Sequence, residues 1–276
     1  MKDCSINETL QEPLVSIAVA TYKGEMFLGK QLDSLLSQTY TNFEVIISDD
    51  GSADNTHRIL NEFSVKDNRI KWSLNPKPDG FIKNFERAIS LCKGEIIFLC
   101  DQDDIWYKDK LAKHVEVYKN KKIVWVYNKV VLTNSENKKI GYLEDSALDY
   151  YRNKTALENT WGSCILGCAT SYRAEDLHKI LPAGKFAPAH DSWIQLALYP
   201  KKSFFIDEYL QDYRIHKGNT FGLGEKATKE REQLAVKENI LYLKNLPMNK
   251  NLSFGKRLFF KAVFIAKMIR SQYRNL

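Results

Sequence analysis

Lys93-Gly-Glu-Ile-Ile-Phe-Leu-Cys-Asp-Gln-Asp-Asp-Ile-Trp106 decides the fold. Residues 95–100 form a short, nearly continuous apolar run, the pattern of a strand buried on both faces. Asp101, Asp103 and Asp104 follow at once. Carboxylates crowded at the end of a buried strand repel one another and are costly unless positive charge sits among them. Mg or Mn takes one or two carboxylates together with substrate phosphates. The Asp-x-Asp spacing therefore suggests a metal–diphosphate site at a strand terminus. A polar turn capping a helix that starts near Lys108 is the other account. On this stretch alone the two stand level.

Outward from this stretch, the preceding residues alternate strand and helix patterns. Strands are predicted over 14–20, 43–48 and 69–74, and helices over 25–37, from Asp54 past Phe63, and over 80–91. Continuous apolar strands alternating with helices indicate a mostly parallel sheet covered on both faces. Ligands of such sheets bind beyond the carboxyl ends of the strands. Three of those ends carry polar signals: Ala20-Thr21-Tyr22, Ser48-Asp49-Asp50-Gly51-Ser52 and Asp101-Gln102-Asp103-Asp104. The second half is more mixed. Strands are predicted over 122–132, 161–173, 203–206 and 209–215, a short helix over 191–198, a long charged helix over 225–246 and a terminal helix over 254–273.

At 276 residues, 44% hydrophobic and 27% charged, the chain can bury a large core. The apolar run from Leu14 to Ala20 is too short for a secretory signal, and no stretch is long enough to span a membrane. Cys4, Cys92, Cys100, Cys164 and Cys168 show no Cys-x-x-Cys spacing, which points to reduced, structural thiols in a cytosolic protein. The net charge is +7, yet the last 38 residues alone carry eight Lys or Arg and no acid, so the body is near −1. Basic character confined to a tail argues against a nucleic-acid-binding body and for a tail that meets an anionic surface.

Neither a Gly-x-Gly-x-x-Gly turn nor a P-loop is present. A bound diphosphate would need a metal to meet its charge. The segments Leu14-Val-Ser-Ile-Ala-Val-Ala-Thr-Tyr22, Ser37-Gln-Thr-Tyr40, Glu44-Val-Ile-Ile-Ser-Asp-Asp-Gly-Ser-Ala-Asp-Asn-Thr56 and residues 93–106 resemble, in order, those of family 2 glycosyltransferases. The resemblance is strong over 13–115 and looser over 160–220. It implies the GT-A fold, inverting transfer from a nucleotide-diphospho-sugar, and a divalent metal, Mn or Mg. The Asp-Gln-Asp-Asp-Ile-Trp form is similar to bacterial rhamnosyl- and hexosyltransferases of surface polysaccharide assembly, which implies a glycan or lipid-linked glycan acceptor and a UDP- or dTDP-sugar donor.

The same resemblance implies roles. Ala20, Thr21 and Tyr22 would line the base and ribose, and Asp50 would accept a hydrogen bond from the pyrimidine, its alternative being an Asx turn before Gly51. Lys83 could reach the nucleotide or be simply solvated. Asp101 would contact the ribose or a metal-bound water. Gln102 stands where Ala is commoner and would mark a donor subclass. Asp103 would ligate the metal, with His216 as second ligand, while Asp104 would stand behind them or cap a helix. Asp191 is the candidate general base for the acceptor hydroxyl, although an N-terminal helix carboxylate also serves the dipole. His190 and Trp193 would offer faces to a sugar. Gly167 would let one approach the backbone, and Cys164 and Cys168 would pack in the core.

These expectations divide the chain into a catalytic domain over 13–222, with a nucleotide-sugar half (13–115) and an acceptor half (116–222), and a helical basic tail over 223–276. On a helix the tail is amphipathic, which suits either peripheral attachment to the inner face of the plasma membrane or docking on its own domain. A nucleotidyltransferase would want a Gly-rich basic turn after the first strand, and Thr21-Tyr22-Lys23-Gly24 is a poor version of one. A binding module without catalysis is the remaining alternative.

Overall fold

The structure is a computed structural model. It describes residues 12–143, 165–182, 189–198 and 201–219. The acidic-aromatic segment 145–159, Cys4, Cys164 and the tail lie outside the described residues.

The first half forms as its periodicity demands. β1 (Val15–Thr21), β2 (Phe43–Asp49), β3 (Ile70–Leu74) and β4 (Ile96–Cys100) lie in the order β3-β2-β1-β4, all parallel. Connecting them are α1 (Leu28–Leu36), α2 (Thr56–Lys66) and α3 (Phe81–Leu91). Side chains of each strand alternate between two cores, as the strand period of two requires. Val15, Ile17, Val19, Ile96, Phe98 and Cys100 pack with α1 and α2, while Ala18, Ile97 and Leu99 pack with α3. Burial on both faces is why these strands read as unbroken apolar runs.

The second half extends the same sheet with mixed pairing. The elements are β5 (Ile105–Trp106), α4 (Lys110–Tyr118), β6 (Trp125–Thr133), β7 (Lys139–Tyr142), a 3-10 turn (Gly167–Ala169), β8 (Thr170–Arg173), α5 (Ala174–Ile180), α6 (His190–Leu198) and β9 (Ser203–Arg214). β8 joins β4 antiparallel, β6 joins β8 antiparallel, and β9 runs parallel to β6 and antiparallel to β5. The strand expected over 161–173 is instead, where described, a 3-10 turn and a four-residue strand. The two strands expected over 203–215 are one, with register shifts opposite Asn128 and Lys129 absorbing the polar break at Asp207-Glu208. β5, β7 and α5 were not expected; the first two are too short to show periodicity.

The topology carries one consequence for function. β9 returns across the molecule to pair with β5, which brings Arg214 and the residues after it onto the turn that follows β4.

Candidate active site

The carboxyl ends of β1 and β2 are joined by Asp49. It is fully buried and accepts from Thr21 Oγ1 (2.9 Å), Ser52 Oγ (2.6 Å), Gly51 N (3.2 Å) and Ser52 N (2.9 Å), and pairs with His57 Nε2 (2.7 Å). Burial pushes its pKa up, but hydrogen bonds from Ser52, His57 and Thr21 outweigh it and hold the carboxyl below its ordinary value. Thr21 is therefore a strut: its side chain is spent on Asp49, and its carbonyl accepts from Asn84 Nδ2 (3.0 Å).

Asp50 turns the other way and gathers residues 75–80. Its carboxylate accepts from Asn75 Nδ2 (2.8 Å), Asp79 N (3.2 Å) and Gly80 N (2.9 Å). Gly80, at φ +84°, is the residue before α3, a backbone state that glycine adopts without strain. Here the Asp50 carboxylate shapes the loop from which α3 departs. Lys83, in the first turn of α3, pairs with Glu86 at 2.6 Å. Ala20 packs against the core on the α3 side, and Tyr22 is half exposed at the rim.

Gln102 has a use that its residue type did not announce. Its amide forms a reciprocal pair with the main chain of Tyr22: Tyr22 N donates to Oε1 and Nε2 donates to Tyr22 O, both at 3.0 Å. A Cβ on Gly24 would stand 2.5 Å from Gln102 Oε1, so glycine is needed for the amide to fit. The loop after β1 is thereby clasped to the acidic turn after β4.

The acidic residues divide by partner. Asp103 Oδ2 pairs with His216 Nε2 at 2.7 Å and is approached by Asn219 Nδ2 at 3.4 Å. Asn219 also fixes the histidine, accepting from His216 N at 2.6 Å. Asp104 is buried, accepting from Gln211 Nε2 (3.1 Å) and Arg214 N (3.2 Å), while Arg214 Nε donates to Asp103 O at 2.7 Å. Burial, then the neighbouring Asp103 charge, raises the Asp104 carboxyl to about 7. Asp101 is raised well above its usual range by burial, then by Asp103, Asp104 and Asp191. Asp191 thus stands close enough for its charge to be felt at the acidic turn.

Asp191 lies in the first turn of α6, and its Oδ2 accepts from Gly167 N at 3.1 Å. A Cβ on Gly167 would lie 3.0 Å from Asp191 Cβ and 3.0 Å from His190 Nε2. Glycine at 167 admits these two side chains. His190 and Trp193 depart from expectation. Trp193 is 1% exposed and donates from Nε1 to Ile180 O at 3.1 Å; His190 is buried with its ring stacked on Phe85 at 3.9 Å. Their faces are taken by protein. On this helix His190 and Trp193 point inward. Burial lowers the His190 pKa, with Asp191 opposing, so the ring is neutral.

A model of the family described as glycosyl transferase family 2 matches residues 16–181. The chain belongs to glycosyl transferase family 2. The Escherichia coli family member named UDP-Glc:alpha-D-GlcNAc-diphosphoundecaprenol beta-1,3-glucosyltransferase WfgD is 31% identical over 161 residues, covering 58% of this chain and 60% of WfgD. Across four such relatives, this chain spans from 45% to 70% of their length. Among solved structures, S. aureus TarS in complex with UDP-GlcNAc superposes with a TM-score of 0.63 at 20% identity, over 92% of this chain and 72% of that one. The mannosyltransferase PcManGT from Pyrobaculum calidifontis, in complex with GDP-Man and Mn2+, gives 0.63 at 15% identity, over 96% and 76%. At such identities the likeness speaks for the fold, which is the GT-A class expected from the sequence.

Within this family 2 chain, several residues of the site carried no signal of their own. Lys110, fully buried at the start of α4, donates from Nζ to Cys168 O at 2.7 Å and to Gln211 Oε1, and lies 3.7 Å from the Trp106 ring centre. Burial lowers its pKa to about 8, against the upward pull of Cys168, Cys100, Asp104 and Asp101. Gln211 and Arg214 are as hidden. Arg214 and Asn219 flank His216 in one segment, so they could have been read with it. Lys110 and Gln211 could not, because nothing local distinguishes them from solvated residues.

The donors present suit a divalent cation. Asp103 Oδ2 and His216 Nε2 offer a carboxylate and an imidazole in contact, a set that Mn accepts. Ligand atoms of Asp101, Asp104 and Cys168 also lie within 4.8 Å of one another, but Asp104 is held by Gln211 and Arg214 and Cys168 is a deeply buried thiol. A thiol is a poor ligand for an oxygen-seeking cation, and with Asp104 already engaged the Asp103–His216 pair is the better fit.

Proposed function

We propose that this chain transfers a sugar, with inversion, from a UDP- or dTDP-sugar to a hydroxyl of a bacterial surface-glycan acceptor carried on a lipid diphosphate. The observation that carries the reading is the convergence of Asp103–His216, the clasped loop after β1, and Asp191 around the carboxyl ends of β1, β2 and β4. Family membership supports sugar transfer. The name of WfgD, with its UDP-glucose donor and diphosphoundecaprenol-linked acceptor, supports the donor and acceptor classes, and the TarS complex with UDP-GlcNAc supports a uridine donor. The Mn2+ in the PcManGT complex supports a divalent metal.

In this reading Asp103 and His216 hold the cation. When bound, it supplies Lewis-acid stabilisation of charge on the departing nucleoside diphosphate. The chain's own groups do the rest. Tyr22 and residues 75–80, shaped by Asp50, receive the nucleoside. Asp191 accepts the proton of the acceptor hydroxyl as its oxygen bonds to the anomeric carbon and the bond from that carbon to phosphate breaks. A carboxylate is a weak base, so the proton moves in the transition state rather than beforehand. The Gly167 N–H holds the Asp191 carboxylate in place through Oδ2.

In this reading the catalytic domain is 13–222 and the basic tail 223–276, and the tail would give peripheral contact with the cytoplasmic leaflet. Among the described residues no helix is long and apolar enough to cross a membrane.

The test is a panel of nucleotide sugars with Mn or with EDTA, read as nucleoside diphosphate released and as anomeric configuration of the product. Metal-dependent release of UDP or dTDP with an inverted product is expected. Release of pyrophosphate when a nucleoside triphosphate and a sugar 1-phosphate are supplied instead would mark a nucleotidyltransferase, and binding of the nucleotide sugars without release a module that has lost catalysis.

A further inference from the structure

Beneath the acidic turn lies a lysine without access to water. Lys110 is 0% exposed, and an ammonium so placed is costly unless negative charge and hydrogen bonds compensate it. Its bonds go to Cys168 O and Gln211 Oε1, and its ring contact is with Trp106. Gln211 passes the interaction on, since its Nε2 donates to Asp104 Oδ2 at 3.1 Å. The other Asp104 oxygen accepts from Arg214 N, and Arg214 Nε closes on Asp103 O. Lys110, Gln211, Asp104 and Arg214 thus form one hydrogen-bonded floor under Asp103 and His216. The proposed transfer chemistry assigns no step to Lys110, and a core methionine would fill the volume without the cost of burying a charge.

We infer that Lys110 is a positioning residue for the cation site: a built-in counter-charge that holds Asp104 and the Asp103 main chain in place before a divalent cation arrives, and that weakens cation binding by opposing its charge. The inference rests on the reading of Asp103 and His216 as cation ligands. Like charges near one site oppose each other and an unneutralised cluster of carboxylates repels itself. A fixed internal cation relieves that repulsion in the empty site, and the entering cation then gains less by relieving it. The coupling between the two is reciprocal.

The experiment titrates Mn2+ into the full chain, counting free metal by its paramagnetic resonance, with melting temperatures taken in EDTA and in excess Mn2+. Asp103→Asn marks the site and should abolish the Mn2+ binding that wild type shows. Lys110→Gln keeps an N–H donor but removes the charge. It should bind Mn2+ about tenfold more tightly, melt below wild type in EDTA, and recover in excess Mn2+. Lys110→Arg, which keeps the charge, should show wild-type affinity. An unchanged dissociation constant, with melting lowered equally in both buffers, would make Lys110 a merely structural residue and overturn the inference. Wild type that takes up no Mn2+, or that binds it undisturbed by Asp103→Asn, would overturn the cation-ligand reading itself. If Lys110→Gln does not fold, Lys110→Met is refolded with and without Mn2+. Recovery only with metal supports the inference, and failure in both overturns it.

Discussion

At Asp191 one carboxylate oxygen is occupied by the Gly167 N–H, so removing the charge and removing the shape are separable. Asp191→Asn preserves the shape and loses the base. We expect kcat to fall by a factor of about 10² to 10⁴, the usual worth of a general base, with donor KM little changed, as steady-state kinetics would register. Full activity in this variant would remove Asp191 as the base. Trp193 makes the opposite case. A sugar-stacking tryptophan would affect acceptor KM and leave stability alone, whereas a buried one does the reverse. Trp193→Ala should cost about 3–5 kcal/mol of folding stability in a urea titration. The types at 190, 191 and 193 were legible as a cluster near the site. Which of them faces solvent was not, because that depends on how α6 rotates against the sheet.

Among the elements, the β1–α1 loop and the turn after β4 are bound into one unit by the Gln102 amide pair. Gln102→Ala removes both bonds, worth about 1 kcal/mol each. Donor KM should rise several-fold in the variant, with the fold intact by circular dichroism; an unchanged KM would reduce the clasp to local structure. The 3-10 turn and α6 are coupled through Gly167. Gly167→Ala places a methyl 3.0 Å from Asp191 Cβ and His190 Nε2. If Asp191 is the base proposed above, a displacement of a few tenths of an ångström there should lower kcat about tenfold or more, measurable beside an unaltered thermal melt in Mn2+. The parallel half of the sheet was readable because strands buried on both faces have unbroken apolar sequences. β5 and β7 escaped because two and four residues do not establish a period.

Over the whole molecule, helices on both faces seal the sheet so completely that titratable groups are trapped inside it. His114 bonds through Nε2 to Asn128 Oδ1 at 3.0 Å and through Nδ1 to Ser171 Oγ at 2.8 Å, an arrangement that places a proton on Nε2 and lets the hydroxyl donate to Nδ1 of a neutral ring. Burial, with Lys110 adding to it, lowers its pKa well below 6.5. Below pH 6.5 the unfolded chain binds a proton that the folded chain refuses, so this contribution to stability is present above 6.5 and lost as pH falls. Between pH 7.0 and 5.5, wild type should lose about 1 kcal/mol more than His114→Gln in chemical unfolding. The wild-type His114 ring resonances should stay at their neutral positions across that range; a ring that titrates near 6.5 would refute the assignment.

The sequence by itself determined the parallel nucleotide half, the family, and the acidic signals at three strand ends, because periodicity and turn chemistry are properties of neighbouring residues. Only the tertiary structure decided how those signals are used. It set Asp103 against His216 across 113 positions of chain and Asp104 against Gln211 across 107. It spent Asp50 on its own loop, drew Lys110 beneath the site and turned His190 and Trp193 into the core. Contacts at such separations are fixed by the return of β9 to β5 and the packing of α4 and α6. A residue's type does not reveal whether the fold will leave it facing water, a ligand or another side chain.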